Sequence, residues 1–572
     1  MSDVAPSTEL VGLLVRLREA LIESALPFEA ADSDVARPER SNLIKQLDDY
    51  IIPRLVQIDA PLLAVVGGST GAGKSTLVNS LIGTEVSATG VLRPTTRSPV
   101  LVHNPADAHW FGADRLLPEL ERTDRATGDQ GALQLVATEK LPAGLAVLDA
   151  PDVDSVEERN RALAAQLLAA ADLWLFVTSA ARYADQVPWG FLKAAAERST
   201  AVAVVLDRTT PQAVQEVSTH LARMLTARGL GDSPLFSVPE SAVDEQGLLP
   251  AQAVAPIRRW LDSLAADSAA RTALVRKTLD GAIASLGQRT RVVASALGVQ
   301  EQIEAQLRAD VLKAYADTLA AVDESTQDGT MLRGEVLARW QEFVGTGELL
   351  RSLETRVGRL RDLLWSAARG RPAPAQQVTV AVESGLETLI IEHAESAAER
   401  AALAWRSLPA GPALLDQAPG DIGRASRDLR PRAERTVRDW QGGVLDLVRE
   451  EGSDRRATAR VLSYGVNGLG VALMMVIFAH TAGVSGAEVG VAGGTAVVGQ
   501  KILEAVFGDQ AVRRLAEEAR RDLHDRVERL WQEEQQRFLD VLDAHSVTPG
   551  AAQRLLELSR AVEAARWLDS EP

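Results

Sequence analysis

The amino-acid sequence predicts an α/β nucleotide-binding domain with a doubly wound, mainly parallel sheet, joined to an elongated all-α bundle that carries a hydrophobic hairpin. The first observation is that short apolar strands alternate with helical segments between about residues 60 and 262, which is typical of a parallel sheet covered by helices. The second is a series of helical runs of about 25 to 40 residues from 263 to 456, which suits an elongated bundle. The third is a charge-free apolar stretch that begins near residue 461.

The composition limits the classes of function. A formal net charge of −17 argues against broad affinity for nucleic acid, which requires a basic face, so we expect no nucleic-acid partner. The chain has no cysteine, which excludes disulfides, thiolate metal sites and cysteine nucleophiles. Its seven histidines show no His-x-x-x-His arrangement, so the sequence gives no support to a zinc enzyme.

A phosphate-binding loop is predicted where an apolar run leads through a glycine-rich turn into a helix that begins near Lys74. Every fixed position of the pattern G-x-x-x-x-G-K-[ST] is filled. Its glycines let several backbone N–H groups face one anion at a helix N-terminus, which carries partial positive charge. We expect Lys74 to reach the β- and γ-phosphates and the Ser75 hydroxyl to bind Mg²⁺. The predicted nucleotide-binding residues of this loop are Gly68, Ser69, Thr70, Gly71, Ala72, Gly73, Lys74, Ser75 and Thr76.

Two further residues are expected at the magnesium site. Asp149 ends an apolar strand and is placed to hold Mg²⁺ through water, opposite the loop that holds Ser75. The polar loop 90–99 contains Thr95 and Thr96, and a threonine in this loop completes the Mg²⁺ shell in many P-loop switch proteins. Both threonines qualify, and we assign the role to Thr96. The predicted catalytic residues are Lys74, Thr96 and Asp149, and the predicted metal ligands are Ser75, Thr96 and Asp149.

The order of these motifs resembles that of GTPases of the P-loop switch superfamily. Similarity to bacterial dynamin-like proteins rests on three features, which are the pair Gly67-Gly68, the ending Ala72–Thr76 and the run Thr96-Arg97-x-Pro99. Era-like GTPases also carry Thr-Thr-Arg at this place, and the motif resemblance covers about residues 62–210. It implies hydrolysis of GTP with Mg²⁺ and a homodimer or higher homo-oligomer formed through the nucleotide domain. It also places Asp207 and Arg208 where such proteins read the guanine base.

Three positions depart from the pattern that the chain resembles. Asp152 stands where the Asp-x-x-Gly motif has glycine, so a negative charge lies beside the γ-phosphate. Thr210 stands where the guanine-reading motif has a carboxylate, which leaves ATP open as the ligand. Dynamins carry a polar residue in place of Gly71, and the resemblance therefore assigns no residue to the positioning of the catalytic water.

A membrane hairpin is predicted from two apolar stretches. Residues 461–479 carry no charged side chain over a length that just reaches a bilayer span, and the stretch 481–507 is rich in glycine and alanine. Basic residues outside both ends favour flanks that stay cytoplasmic. We therefore expect residues 461–507 to bind the lipid membrane at the cytoplasmic face of a bacterial cell membrane. A shallow re-entrant insertion, or a hairpin buried at the tip of the bundle, remains the alternative.

The predicted function is that of a membrane-associated dynamin-like GTPase, which couples nucleotide-dependent dimerisation to membrane binding or remodelling. The alternative is a regulatory GTP or ATP switch with a helical partner-binding scaffold and no membrane remodelling. The predicted domains are N-terminal helices at 1–59, a P-loop GTPase domain at 60–262, a helical stalk at 263–456, a hydrophobic hairpin at 457–508 and returning helices at 509–572.

Overall fold

The chain folds into two compact units in the computed structural model. The first unit contains the residues up to Leu26, Ala31–Val299 and the residues from Val547 onward, and the second contains Pro27–Ala30 and Gln300–Ser546. The structure describes residues 8–88, 98–112, 115, 117–125, 129, 131–155, 158–197, 201–210, 212–328, 331, 335–345, 374–453, 466–478 and 492–569.

An eight-stranded sheet forms the centre of the first unit, with the strand order β3-β4-β2-β5-β1-β6-β7-β8. All neighbouring pairs are parallel except β2 and β5, which are antiparallel. The prediction of a mainly parallel α/β sheet together with a large helical region is confirmed. The strands are β1 Leu62–Gly68, β2 Val100–His103, β3 Glu121–Thr123, β4 Ala132–Ala137, β5 Leu145–Asp149, β6 Leu173–Ser179, β7 Ala201–Thr209 and β8 Leu235–Pro239.

The central strands are buried on both faces, which explains their continuous apolar sequences. Every residue of β1 and β5 is buried. Because side chains alternate along a strand, Leu63 and Val65 enter one hydrophobic cluster, while Leu62, Ala64 and Val66 enter the cluster on the opposite face. Helices therefore cover both faces of the sheet, as a doubly wound fold requires.

Helices of the first unit surround this sheet. The helix at the C-terminal end of the described chain packs against the first helix, within the same unit as the sheet. The helix Ser268–Gln327 is 60 residues long and contributes its residues up to Val299 to this unit. The helices are α1 Thr8–Glu23, α2 Ser33–Gln46, α3 Ile52–Val56, α4 Lys74–Ile82, α5 Glu158–Ala169, α6 Gln186–Glu197, α7 Val214–Thr226, α8 Ala251–Ala266, α9 Ser268–Gln327 and, at the chain end, Ala551–Asp569, with a π-helical turn at Leu47–Ile51.

A buried carboxylate fastens the flanking helices to the sheet. Asp172, just before β6, accepts hydrogen bonds from Tyr50 Oη at 3.1 Å, Arg54 Nε at 3.0 Å and the Leu63 backbone N–H at 2.8 Å. Arg54 Nη2 also pairs with Asp172 Oδ2 at 2.9 Å. The Thr278 hydroxyl of α9 donates to the Asp172 carbonyl at 3.2 Å. One short segment thus holds β1, β6, α9 and the N-terminal helices together.

The second unit is helical in its described part. Its helices after α9 are α10 Glu335–Gly345, α11 Pro374–Arg406, α12 Gly411–Gln417, α13 Leu429–Glu451, α14 Val466–Phe478, α15 Ala492–Phe507 and α16 Asp509–Asp543, and the terminal helix Ala551–Asp569 of the first unit is α17. Long amphipathic helices with an apolar seam explain the bundle, since each seam is covered by neighbouring helices.

The first predicted membrane segment contributes α14, and its residues from Leu469 to Phe478 are buried within the second unit. Trp440 of α13 packs on Phe478 with ring centroids 5.7 Å apart, and Arg520 of α16 donates to the Ile477 carbonyl at 3.3 Å. Among the residues that the structure describes, no helix combines the length and the apolar character needed to cross a bilayer. The predicted transmembrane helix is therefore not supported, and residues 461–465 and 479–491 of the predicted hairpin lie outside the described residues.

Candidate nucleotide site

The predicted phosphate loop connects the end of β1 at Gly68 to the start of α4 at Lys74. Two of its positions accept only glycine. A Cβ on Gly68 would lie 2.0 Å from the Val177 carbonyl oxygen of β6, and one on Gly73 would lie 2.2 Å from Asp207 Oδ2 of β7. Gly73 also has a φ of +90°, a left-handed conformation that side chains disfavour. The loop is therefore held tightly between β6 and β7 while its backbone turns into the helix.

The Lys74 side chain is 5% exposed, and its ammonium group lies inside this loop. Its Nζ donates to the Gly68 carbonyl at 3.2 Å and to the Ser69 carbonyl at 3.1 Å, and it forms an ion pair with Asp152. Asp152 is the residue that departs from the glycine of the family pattern. In this conformation, the Asp152 carboxylate is the anion beside Lys74, at the place where a bound phosphate would need to lie.

Ser75 and Asp149 meet as the motif predicts for a magnesium site. The Ser75 hydroxyl donates to Asp149 Oδ2 at 2.6 Å, and the Ser87 hydroxyl donates to the same oxygen at 2.6 Å. Burial raises the pKa of the Asp149 carboxyl, while the hydrogen bonds from the two serines oppose that rise. Asp149 Oδ1 is buried and has no hydrogen-bond partner in the described part of the chain. A hydroxyl, a carboxylate and an unpaired buried oxygen at one place fit the oxygen ligands that Mg²⁺ prefers.

Ser87 was not identified from the sequence. Asn79 of α4 holds it in place, since Asn79 Nδ2 donates to the Ser87 carbonyl at 2.8 Å and the Ser87 N–H donates to Asn79 Oδ1 at 2.9 Å. Thr95 and Thr96 belong to residues 89–97, which lie outside the described residues, so the role assigned to Thr96 stays a prediction.

Asp207 and Arg208 also lie beside the phosphate loop. The Asp207 side chain faces Gly73 and accepts from the Arg208 backbone N–H at 2.8 Å. Arg208 has a φ of +52°, and its guanidinium likewise borders Gly73. Thr210, where the family pattern has a carboxylate, is exposed. The strand end at which the base-reading residues are expected therefore adjoins the phosphate loop, whereas the acidic group for guanine is replaced by a threonine.

The pH dependence of stability is expected to reveal the burial of Asp207. Burial raises the pKa of Asp207 from 3.8 to about 6 in the folded state. The folded protein therefore keeps a proton that the unfolded chain has lost, so stability falls as the pH rises through this interval. We expect Asp207→Asn to stabilise the nucleotide-free protein more at pH 8 than at pH 5, by about 1 kcal/mol. Urea unfolding at both pH values measures this difference, and an equal effect at both contradicts it.

Two further charged residues, neither predicted from the sequence, connect to the phosphate loop at Thr70. Asp154 Oδ1 accepts from the Thr70 backbone N–H at 2.6 Å and from the Thr70 hydroxyl at 2.7 Å. Arg182, in the turn after β6, donates from Nη1 to Asp154 Oδ2 at 2.8 Å. Asp154 carried a weak signal, since it follows Asp152 in the acidic segment after β5. Arg182 carried none, because only the fold brings its turn to the loop.

Two curated relatives share a part of this sequence. One is the probable transmembrane GTPase FZO-like, chloroplastic, of Arabidopsis thaliana, 26% identical over 143 residues, which are 25% of this chain and 14% of the relative. The other is the small ribosomal subunit biogenesis GTPase RsgA of Carboxydothermus hydrogenoformans, 31% identical over 150 residues, which are 22% of this chain and 50% of the relative. The chain is similar to P-loop GTPases. It spans half or less of the length of these two relatives.

Solved structures similar to this GTPase-like chain include bacterial dynamins. One is a bacterial dynamin from an oligomerised pair that provides a mechanism for the long-range sensing and tethering of membranes. The match covers 100% of this chain and 96% of the dynamin chain, at 11% identity and a TM-score of 0.41. The LeoA bacterial dynamin GTPase from ETEC matches 94% and 98%, at 11% identity and a TM-score of 0.23. No family model matches the chain. The two curated relatives confirm the predicted resemblance to P-loop GTPases, and bacterial dynamins are among the similar solved structures.

Proposed function

We propose that this chain is a Mg²⁺-dependent GTPase. The observation that carries the proposal is the convergence of Lys74, Ser75 and Asp149 on a loop that only glycine permits at Gly68 and Gly73. Lysine and backbone N–H groups at a helix N-terminus bind phosphate, and a serine hydroxyl opposite an aspartate binds the metal of a nucleoside triphosphate. The GTPase names of both curated relatives agree with this chemistry.

The reaction requires rearrangement at Lys74. Its ammonium group leaves Asp152 and donates to oxygens of the β- and γ-phosphates. Ser75, Asp149 and the predicted ligand Thr96 would hold Mg²⁺, which would neutralise negative charge on these phosphates. A water oxygen bonds to the γ-phosphorus while the bond from that phosphorus to the bridging oxygen breaks. The electron pair remains on the diphosphate, and the proton of the water passes to phosphate or solvent.

Guanine is the base that we propose, with Asp207 and Arg208 near it. Their position beside Gly73 supports a role at the nucleoside side of the loop. The exposed Thr210 makes ATP the second candidate, because its single hydroxyl oxygen lacks the two oxygens with which a carboxylate accepts the two guanine N–H donors. Titration of the full chain with fluorescent GTP and fluorescent ATP in Mg²⁺ tests the choice. We expect GTP to bind at least about tenfold more tightly; tight binding of ATP alone contradicts the assignment.

We further propose that nucleotide binding drives association of nucleotide domains and that the protein acts at the cytoplasmic face of a bacterial membrane. The support is the dynamin-like run around Gly67-Gly68, together with the name of the Arabidopsis relative, a probable transmembrane GTPase. The alternative is a regulatory switch whose helices bind a protein partner, and the burial of residues Leu469 to Phe478 within the helical unit favours it.

Liposome co-sedimentation with the full chain distinguishes these alternatives. In the membrane proposal, a non-hydrolysable GTP analogue increases the fraction of protein that pellets with anionic liposomes, and light scattering without lipid shows a doubled mass. Protein that stays in the supernatant with and without nucleotide contradicts the membrane proposal and leaves the regulatory switch. A mass that the analogue does not change contradicts the proposed association.

A further inference from the structure

A single carboxylate links the phosphate loop to an arginine outside it. Asp154 uses Oδ1 for the N–H and the hydroxyl of Thr70, and uses Oδ2 for Arg182 Nη1. The Asp154 side chain is 13% exposed, and that of Arg182 is 41% exposed. Asp185 is a second acidic group near Arg182, at 4.0 Å from Nη1. The tip of the arginine is therefore anchored by Asp154, while a part of its side chain is exposed to solvent.

The Asp154 carboxylate marks a position where a bound anion would contact both the Thr70 N–H and Arg182. Backbone N–H groups of a phosphate loop donate to phosphate oxygens when nucleotide binds, and Thr70 lies within the predicted loop. Here the Thr70 N–H donates to a carboxylate instead, at 2.6 Å. A phosphate oxygen that replaces Asp154 Oδ1 at this N–H enters the position whose second oxygen already lies 2.8 Å from Arg182. Guanidinium groups bind carboxylate and phosphate oxygens with the same geometry.

We propose that Arg182 is a phosphate-binding residue of this site, which moves from Asp154 to the terminal phosphate when a nucleoside triphosphate binds. The proposal rests on the proposed GTPase function and deepens it by naming the residue that senses the third phosphate. Asp154 is the competing anion that holds Arg182 in the absence of nucleotide. Since charge develops on phosphate oxygens during hydrolysis, an arginine at this place also stabilises the transition state.

Gly71 offers no side chain to the reacting water, and we expect Arg182 to contribute a positive charge at the terminal phosphate. The family resemblance assigns no residue of this loop to the reacting water, and Asp152 adds negative charge beside the lysine. A second cation at the terminal phosphate offsets that negative charge. Arg182 supplies this cation from the same chain, in the turn that follows β6. Strand β6 itself packs beside the phosphate loop, where Val177 contacts Gly68.

Nucleotide affinities of the full-length protein test this proposal without measuring turnover. We expect Arg182→Ala to weaken binding of a non-hydrolysable GTP analogue about tenfold, while GDP binding changes less than about twofold. Arg182→Lys keeps the charge and is expected to lose about threefold or less for the analogue. Asp154→Asn removes the competing anion and is expected to tighten the analogue by about threefold or more, with GDP unchanged.

A matched control variant is available, and failure of the Arg182 proposal can be distinguished from failure of the proposed function. Arg223→Ala changes an exposed arginine of α7 and is expected to alter neither affinity. If Arg182→Ala changes neither ligand, or weakens both equally, the assignment of Arg182 is overturned while the nucleotide site stands. If the unmodified protein binds neither GTP analogue nor GDP, the proposed function itself is overturned. Circular dichroism of each variant identifies loss of fold, and the charge-retaining Arg182→Lys provides the comparison in that case.

Discussion

Replacing Lys74 by alanine is expected to weaken GTP binding by at least about a hundredfold, because two charge-assisted hydrogen bonds to phosphate are lost at about 1.5 to 3 kcal/mol each. The side chain is buried within the loop, so no neighbouring lysine in the described part of the site takes over its contacts. Fluorescence titration with a GTP analogue in Mg²⁺ measures the change.

Two further variants accompany Lys74→Ala, one as a matched control and one that removes the ion-pair partner of Lys74. Lys277→Ala removes an exposed lysine of α9 and is expected to leave the affinity unchanged. Asp152→Asn removes the carboxylate that occupies Lys74 and is expected to strengthen binding by a few-fold, since the lysine no longer has to leave an anion. Unchanged binding by Lys74→Ala would place the nucleotide elsewhere in the molecule.

Loss of the Arg54 guanidinium is expected to destabilise the first unit by about 3 to 5 kcal/mol, because it leaves a buried carboxylate without its charge partner. Arg54 pairs with Asp172 at 2.9 Å, and both side chains are almost fully buried. Burial raises the pKa of Asp172, an effect that Arg54 opposes, so the unpaired carboxyl is expected to take up a proton more readily. Hydrogen exchange of the β1 and β6 peptides measures the effect, since both strands border Asp172.

A double substitution separates charge from packing at this site. Arg54→Ala combined with Asp172→Asn removes both charges and is expected to recover a part of the loss, because no ionised group then stays buried without a partner. Lys313→Ala removes an exposed ion pair with Asp317 and is expected to change protection by less than about 0.5 kcal/mol. Exchange rates of β1 and β6 that match the unmodified protein in Arg54→Ala contradict the structural role.

Local patterns in the sequence predicted the centre of the site because the chemistry there depends on fixed spacing. The strand, the glycine turn and the helix that starts at Lys74 are contiguous, so the motif places them without knowledge of the fold. Asp149 was predicted in the same way, as the last residue of an apolar strand, and that strand pairs with β1. The edge strands β3 and β8 and the neighbouring strand β4 were not predicted, because they are short and most of their residues are only partly buried, which leaves no clear apolar pattern.

Contacts between distant parts of the chain could not be read from the sequence. Ser87 and Arg182 reach the site only through the fold, and their sequence neighbours give no motif, whereas Asp154 gave a weak signal. The apolar helix Val466–Phe478 shows a different limit. A charge-free stretch of this length has the same sequence whether lipid or other helices cover it, and here helices of the second unit cover its residues from Leu469 to Phe478.

The rate of phosphate release from GTP by the full-length protein tests the central claim most directly. We expect release that requires Mg²⁺, that exceeds the rate with ATP, and that falls to the background rate in Lys74→Ala. Asp149→Asn, measured over a range of Mg²⁺ concentrations, is expected to require more metal than the unmodified protein. Phosphate release that is equal in the unmodified protein and in Lys74→Ala, or that persists in excess EDTA, would contradict the assignment of this site as a Mg²⁺-dependent GTPase.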